Sequence, residues 1–92
     1  MIIRIMGEGQ FRVPAALYDE LNEIDNRIVS LVAAEKAEEF KKELLNLITV
    51  IRKNGEPLNT EELFESDIIV PPEDMSLEEA RDVFTGDGIF ED

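Results

Sequence analysis

The sequence predicts an α+β domain in which a central antiparallel helical hairpin packs with a small N-terminal β-hairpin or sheet and a short C-terminal helix. Three observations lead to this prediction. β-Branched residues around a glycine turn open the chain, two amphipathic stripes with helical spacing fill its middle, and a capping box begins its last apolar stretch. With 92 residues, the chain has the size of a single domain, residues 1–92, divided into a near-neutral part (1–55) and an acidic part (56–92).

The beginning of the chain predicts a β-hairpin. Residues 1–6 are rich in β-branched side chains, and residues 10–13 alternate polar and apolar side chains as a half-buried strand does. Gly7 and Gly9 form the turn motif between them, because glycine readily adopts the positive φ angles of a tight turn. The two glycines also begin a dinucleotide-binding pattern. Arg12 replaces its third glycine, however, and a strand follows where a helix is required, so we exclude nucleotide binding.

Two amphipathic stripes predict the helical hairpin, and Pro14 opens its first helix, where a missing N–H costs nothing. The stripe of the first helix comprises Leu17, Leu21, Ile24, Ile28 and Leu31, and that of the second comprises Phe40, Leu44, Leu47, Ile48 and Ile51. Leu31 and Phe40 are nine residues apart, which is about 900° and therefore half a turn out of phase.

A break between Ala33 and Glu38 would let both stripes face one core as an antiparallel hairpin. No glycine or proline marks this break. One continuous helix from Ala15 to Lys53 therefore remains the alternative, and its two stripes would then face different partners.

The second helix carries most of the candidate partner-binding residues. Arg52 and Lys53 suit its negative C-terminal dipole, and Gly55 suits a left-handed cap. Leu45 and Val50 lie off the apolar stripe, which indicates an extra contact with the sheet or with a partner protein. Five of the nine basic residues lie at or in this helix: Lys36, Lys41, Lys42, Arg52 and Lys53. They form either a solvated face or a landing site for the acidic segment, and we take Leu45, Val50, Lys41 and Lys42 as the partner-binding candidates.

The last third of the chain is strongly acidic. Residues 56–92 contain thirteen acidic residues and one basic residue, Arg81, whereas residues 1–55 contain nine acidic and eight basic residues. The acidic surface is either a solubilising tail or an electrostatic docking surface for a basic partner.

The predicted elements of this last third are a capped helical turn at 59–62 holding Leu63 and Phe64, a short strand at 68–70 ended by Pro71 and Pro72, and a helix that begins with the capping box Ser76-Leu77-Glu78-Glu79. The helix turns Leu77, Ala80, Val83 and Phe84 inward, Gly86 and Gly88 end it, and Ile89 and Phe90 dock on the body.

The composition argues against a catalytic site and against a metal or cofactor site. The chain has no cysteine and no histidine, which removes thiolate metal sites and the commonest general base. The acidic groups Glu61-Glu62, Glu73-Asp74 and Asp87 with Glu91 and Asp92 do not match a calcium-binding loop. We therefore expect no catalytic residue, no metal site and no cofactor. The net charge of −13 repels nucleic acid and anionic lipid, and no apolar run approaches the ~20 residues of a membrane span, so we expect a soluble, cytoplasmic protein.

The chain resembles the PspA-associated family (PspAA) of the phage-shock, or envelope-stress, systems over nearly its whole length. The resemblance is carried by Ile3-Arg4-Ile5-Met6-Gly7-Glu8-Gly9-Gln10-Phe11, by Leu21-Asn22-Glu23-Ile24-Asp25, by Ile51-Arg52-Lys53-Asn54-Gly55-Glu56-Pro57-Leu58, by Ser66-Asp67-Ile68-Ile69-Val70-Pro71-Pro72, and by the stretch from Ser76-Leu77-Glu78-Glu79-Ala80 to Gly88-Ile89-Phe90. It implies a small partner of PspA-type proteins, which are long helical coiled coils that assemble on stressed membranes. It supplies no catalytic residues and no mapped binding surface.

We therefore predict a non-catalytic adaptor that binds a PspA-type coiled-coil protein and reaches the inner face of the membrane only through that partner. The first alternative is a stand-alone homodimeric structural protein. The second is a small acidic metal-binding protein or hydrolase.

Overall fold

A four-stranded sheet and a helical hairpin share one apolar core in the computed structural model, which describes residues 1–58, 65–86 and 88–90. The elements in chain order are β1 (Ile2–Ile5), β2 (Gly9–Arg12), a 3-10 helix (Ala15–Leu17), α1 (Tyr18–Ala33), α2 (Ala37–Asn54), β3 (Glu56–Pro57), β4 (Ile68–Val70) and α3 (Leu77–Val83). The predicted α+β fold is therefore confirmed. The predicted helical turn at 59–62, with Leu63 and Phe64, lies outside the described residues.

The sheet has the strand order β3-β2-β1-β4. β1 and β2 form the predicted antiparallel hairpin, and the turn between them contains Gly7 at φ 88° and Gly9 at φ 122°. β4 pairs in parallel with β1, so that Ile5 lies beside Val70. The two-residue strand β3 is an element that the sequence analysis missed. It pairs with β2 at the edge of the sheet, a position that tolerates Pro57 because proline has no N–H to donate.

The predicted break between the helices is confirmed, and its backbone explains why no glycine marks it in the sequence. Glu35 adopts a left-handed φ of 58°. Its N–H donates to the carbonyl of Val32 at 3.1 Å, and the N–H of Lys36 donates to the carbonyl of Leu31 at 3.0 Å. This is the hydrogen-bond pattern of a Schellman cap, in which glycine usually occupies the left-handed position. Because glutamate occupies the left-handed position, the sequence shows no glycine where the first helix ends.

The stripe of α2 is buried as predicted, whereas the stripe of α1 is partly misphased. Phe40, Leu44, Leu47, Ile48 and Ile51 all lie in the core. In the first stripe, Leu21, Ile24 and Ile28 of α1 are buried, but Leu31 of α1 and Leu17, which ends the 3-10 helix, are only half-buried. Val32 enters the core in place of Leu31, because it lies one turn after Ile28 on the same side of α1.

Gly55 does not form the predicted left-handed cap. Its φ of −91° and ψ of 152° are extended, and its N–H donates to the carbonyl of Ile51 at 2.7 Å. The position is crowded, since a Cβ atom there would lie 2.6 Å from the Ile51 carbonyl oxygen and 3.0 Å from Cβ of Phe11. Close packing of backbone against the sheet, and not a positive φ, accounts for glycine at this position.

The C-terminal helix begins with the predicted capping box. The Ser76 hydroxyl accepts a hydrogen bond from the Glu79 N–H at 3.2 Å, and the Glu79 carboxylate accepts one from the Ser76 N–H at 3.3 Å. Ala80 and Phe84 are buried, and Leu77 and Val83 are half-buried against the core. The Phe84 ring meets Phe40 of α2 edge-on with 6.1 Å between centroids, which ties this helix to the hairpin.

Candidate protein-binding surface

The two apolar candidates, Leu45 and Val50, lie on different sides of α2. Nε of Arg27 in α1 lies 3.3 Å from Oε2 of Glu43, so the Glu43 side of α2 faces α1. Val50 is seven residues beyond Glu43, about 700°, and therefore lies on the same side, half-buried against the core. Leu45 is two residues beyond Glu43, about 200°, and lies on the far side with 46% of its surface exposed. They do not belong to one patch.

The two basic candidates are likewise divided. Lys41 and Lys42 are both exposed. Lys41 precedes Leu45 by one helical turn, so these two side chains form a small patch on the far side of α2, which we call the outer patch. Lys42 instead lines a groove on the α1 side.

That groove runs between the two helices on the surface of the hairpin and has a volume of about 550 Å³. We call it the hairpin groove. Its lining residues are Asn26, Arg27, Ser30 and Leu31 of α1 and Glu39, Lys42 and Glu43 of α2. Leu31 supplies half-buried apolar surface, and the charged residues comprise two bases and two acids. This groove was not predicted from the sequence. A possible signal was Ser30, a small residue that lies half a turn away from the core stripe of α1.

Arg52 has a structural task. Its Nε and Nη2 donate to the two carboxylate oxygens of Glu8 at 2.7 Å and 2.6 Å, and Nη2 also lies 3.6 Å from the Glu73 carboxylate. Hydrogen bonding to Glu8 is the main cause that raises the pKa of Arg52 above its ordinary value. The guanidinium thus ties the β1–β2 turn to the end of α2. Its approach to Glu73 is one direct contact between the basic helix and the acidic segment.

The described acidic residues of the last third are on the surface. All eight of them are exposed: Glu56, Glu65, Asp67, Glu73, Asp74, Glu78, Glu79 and Asp82. The one basic residue of this segment, Arg81, pairs with Glu35 of the interhelical turn at 2.5 Å. The segment therefore presents a negative field to the solvent.

A buried carboxylate holds the C-terminal residues, and the sequence analysis did not single it out. Asp25 of α1 is fully buried, and its oxygens accept hydrogen bonds from the N–H groups of Ile89 at 3.2 Å and Phe90 at 2.8 Å. Phe90 is buried and meets Tyr18 edge-on with 5.8 Å between ring centroids. The predicted docking of Ile89 and Phe90 is thus confirmed. A possible signal was the position of Asp25, beside Ile24 and one turn before Ile28.

Two further observations concern the described part of the chain. No group of three or more acidic side chains is arranged there to hold a metal ion. No helix in this part is long and apolar enough to cross a membrane.

The comparisons give one match. The family model described as PspA-associated protein (PspAA) matches residues 1–92, which is the whole chain. Neither the curated proteins nor the solved structures give a match to this chain. The segments that carry the resemblance also meet in the fold, since Asp25 binds the backbone of Ile89 and Phe90. The chain belongs to the PspA-associated protein family.

Proposed function

We propose that this protein is a non-catalytic adaptor that binds a PspA-type coiled-coil protein of an envelope-stress system. The observation that carries the proposal is the match of the whole chain to a family described by its association with PspA. In the described part of the chain every charged residue except buried Asp25 and the ion-paired Glu43 is exposed, and such a surface is well suited to electrostatic contacts with another protein.

The helical hairpin is the part of the surface that best suits a helical partner. It offers the hairpin groove on one side and the outer patch of Lys41 and Leu45 on the other. Exposed apolar groups such as Leu45 can anchor a partner, and half-buried Val50 can add contact area beside the groove. The four candidate contact residues therefore remain Leu45, Val50, Lys41 and Lys42.

The acidic surface of the last third supports a role in guiding the encounter. Exposed charges of one sign steer an oppositely charged partner and speed association more than they strengthen the bound state. The same field repels anionic lipid and nucleic acid. We therefore propose that the protein is cytoplasmic and approaches the membrane only through its partner.

The test is a binding measurement between the purified chain and the PspA-type protein of the same source. Isothermal titration at about 0.15 M salt, where the screening length is about 8 Å, should give a saturable complex. An unrelated acidic domain of similar size and charge is the control for charge alone. The proposal is wrong if the chain and the control behave alike, and sedimentation of the chain alone then decides whether it is a homodimer instead.

A further inference from the structure

We infer that the hairpin groove receives one amphipathic helix of the partner, which lies along the seam between α1 and α2 on the side of Val50 and away from Leu45. The inference rests on the proposed function, because it takes the partner to be the PspA-type protein. It goes further by choosing one of the two sides of α2 and by stating what kind of helix fits.

Two apolar groups are spaced along the seam to suit a helix. Leu31 lines the groove four residues beyond Arg27 in α1, and Val50 lies outside the groove lining, seven residues beyond Glu43 in α2. Because the helices are antiparallel and Arg27 pairs with Glu43, the two apolar side chains lie on opposite sides of this ion pair. Their axial separation is therefore about eleven residues, or roughly 16 Å. A partner helix with apolar residues every three and four positions reaches both, since a d position is followed by an a position eleven residues later.

The second argument is the charge of the groove. Arg27 and Lys42 balance Glu39 and Glu43, so the groove is neutral on a chain whose net charge is −13. A helix that carries both signs of charge beside its apolar stripe can place each charge opposite a group of the other sign, as flanking residues of coiled coils do. The −13 charge on each molecule opposes a second copy of this chain as the occupant.

The third argument is the shape of the groove. Ser30 and Asn26 are exposed, and neither is a large side chain, so they leave space over half-buried Leu31. The groove is open at the surface. On the outer patch, by contrast, Leu45 is exposed and its exposed neighbours Lys41, Asn46 and Thr49 are polar.

Blocking variants test the inference. Ser30→Trp fills the groove from an exposed position, and Ser30→Glu adds an unbalanced charge there, so each should weaken binding of the PspA-type protein at least tenfold. Leu45→Asp tests the competing outer patch on the far side of α2, and if the groove is the binding site this variant should change the dissociation constant less than twofold. Circular dichroism melting of each variant checks that the fold is retained.

A second readout does not depend on any variant. In a titration of isotopically labelled chain with the PspA-type protein, the backbone amide signals of Asn26, Arg27 and Ser30 should shift or broaden, and those around Leu45 should not. If Leu45→Asp removes binding and the Ser30 variants bind normally, the groove is wrong and the adaptor function stands. If the unaltered chain does not bind, the proposed function itself fails.

Discussion

Asp25 accepts a hydrogen bond from the backbone N–H of Phe90 at 2.8 Å, across 65 positions of the chain and with both residues buried. The same carboxylate accepts the N–H of Ile89 at 3.2 Å. A buried carboxylate is costly unless its oxygens are hydrogen-bonded, and these two N–H groups supply that compensation. The contact therefore couples the middle of α1 to the last described residues.

Replacing this carboxylate should loosen the C-terminal residues. In an Asp25→Ala variant the N–H groups of Ile89 and Phe90 lose their acceptor, and each such loss costs about 1–3 kcal/mol when the group stays buried. Urea unfolding measures the free energy change. Tyr18 is the single tyrosine of a chain without tryptophan, so its fluorescence reports whether Phe90 has left its side. Unchanged stability and unchanged fluorescence would contradict the role given to Asp25.

Gly88, which precedes Ile89, and Gly86 give a matched pair of alanine variants. A Cβ atom on Gly88 would lie 2.7 Å from Oδ1 of Asp25, whereas one on Gly86 would meet nothing within 4 Å. Both residues have positive φ, 76° and 58°, so both alanine variants carry the left-handed cost of about 1–2 kcal/mol. Gly88→Ala should lose a further ~1–3 kcal/mol through the collision. Equal unfolding free energies for the two variants would show that the close approach of Gly88 to Asp25 does not require glycine at position 88.

Truncating a side chain at the centre of the first apolar stripe should strongly lower the free energy of unfolding. Ile24 is 2% exposed within the core, so Ile24→Ala should lower the free energy of unfolding by about 2–4 kcal/mol. Glu23→Ala, on the exposed neighbour, should stay within about 0.5 kcal/mol of the unaltered chain. Chemical denaturation of both proteins makes the comparison. A small loss at Ile24 would mean that the burial of α1 is wrong.

Leu45 should tolerate a charge without loss of the fold. Almost half of its side chain is exposed, so Leu45→Asp removes little buried apolar surface and should change the free energy of unfolding by less than about 1 kcal/mol. Leu44→Asp is the matched control. Leu44 is next to Leu45 in sequence but is fully buried, so an unpaired charge there should unfold the domain. A Leu45→Asp protein that does not fold would place this residue in the core.

Salt should act on the rate of complex formation. The exposed acids of the last third should attract a basic region of the proposed partner at long range, and this attraction is screened beyond about 8 Å at 0.15 M salt. Raising salt from about 0.05 M to 0.5 M should slow association roughly tenfold and leave dissociation nearly unchanged. Stopped-flow mixing measures both rates. The triple variant Asp74→Asn, Glu78→Gln, Asp82→Asn should associate more slowly at low salt and respond less to salt, and a rate independent of salt would refute steering.

Local patterns in the sequence predicted most of the elements, because strand alternation, helical periodicity and capping boxes act over a few residues. The break between the helices followed from the half-turn mismatch between Leu31 and Phe40 alone. The boundary of the α1 stripe was misplaced by one residue, since the choice between Leu31 and Val32 depends on how α1 is rotated about its axis against the core. Pairing of β3 with β2 involves only two residues and leaves almost no periodic signal.

The candidate site was less predictable because it depends on contacts between distant segments. Leu45 and Val50 are both off the core stripe in sequence, yet only the pairing of Glu43 with Arg27 reveals which side of α2 faces α1. The role of Gly55 was also hidden, because it depends on crowding by the Ile51 carbonyl oxygen of the preceding turn and by Phe11 of another element.

β1 owes its interior place in the sheet to β4, which joins it from beyond both long helices. A chain that ends at residue 58 would leave β1 as an edge strand, with Ile3 and Ile5 lacking their partners Ile68 and Val70. Such an edge is a template for pairing between molecules. During synthesis β1 can gain its second neighbour only after residue 70 has left the ribosome, so until then this edge is open to pairing with other chains.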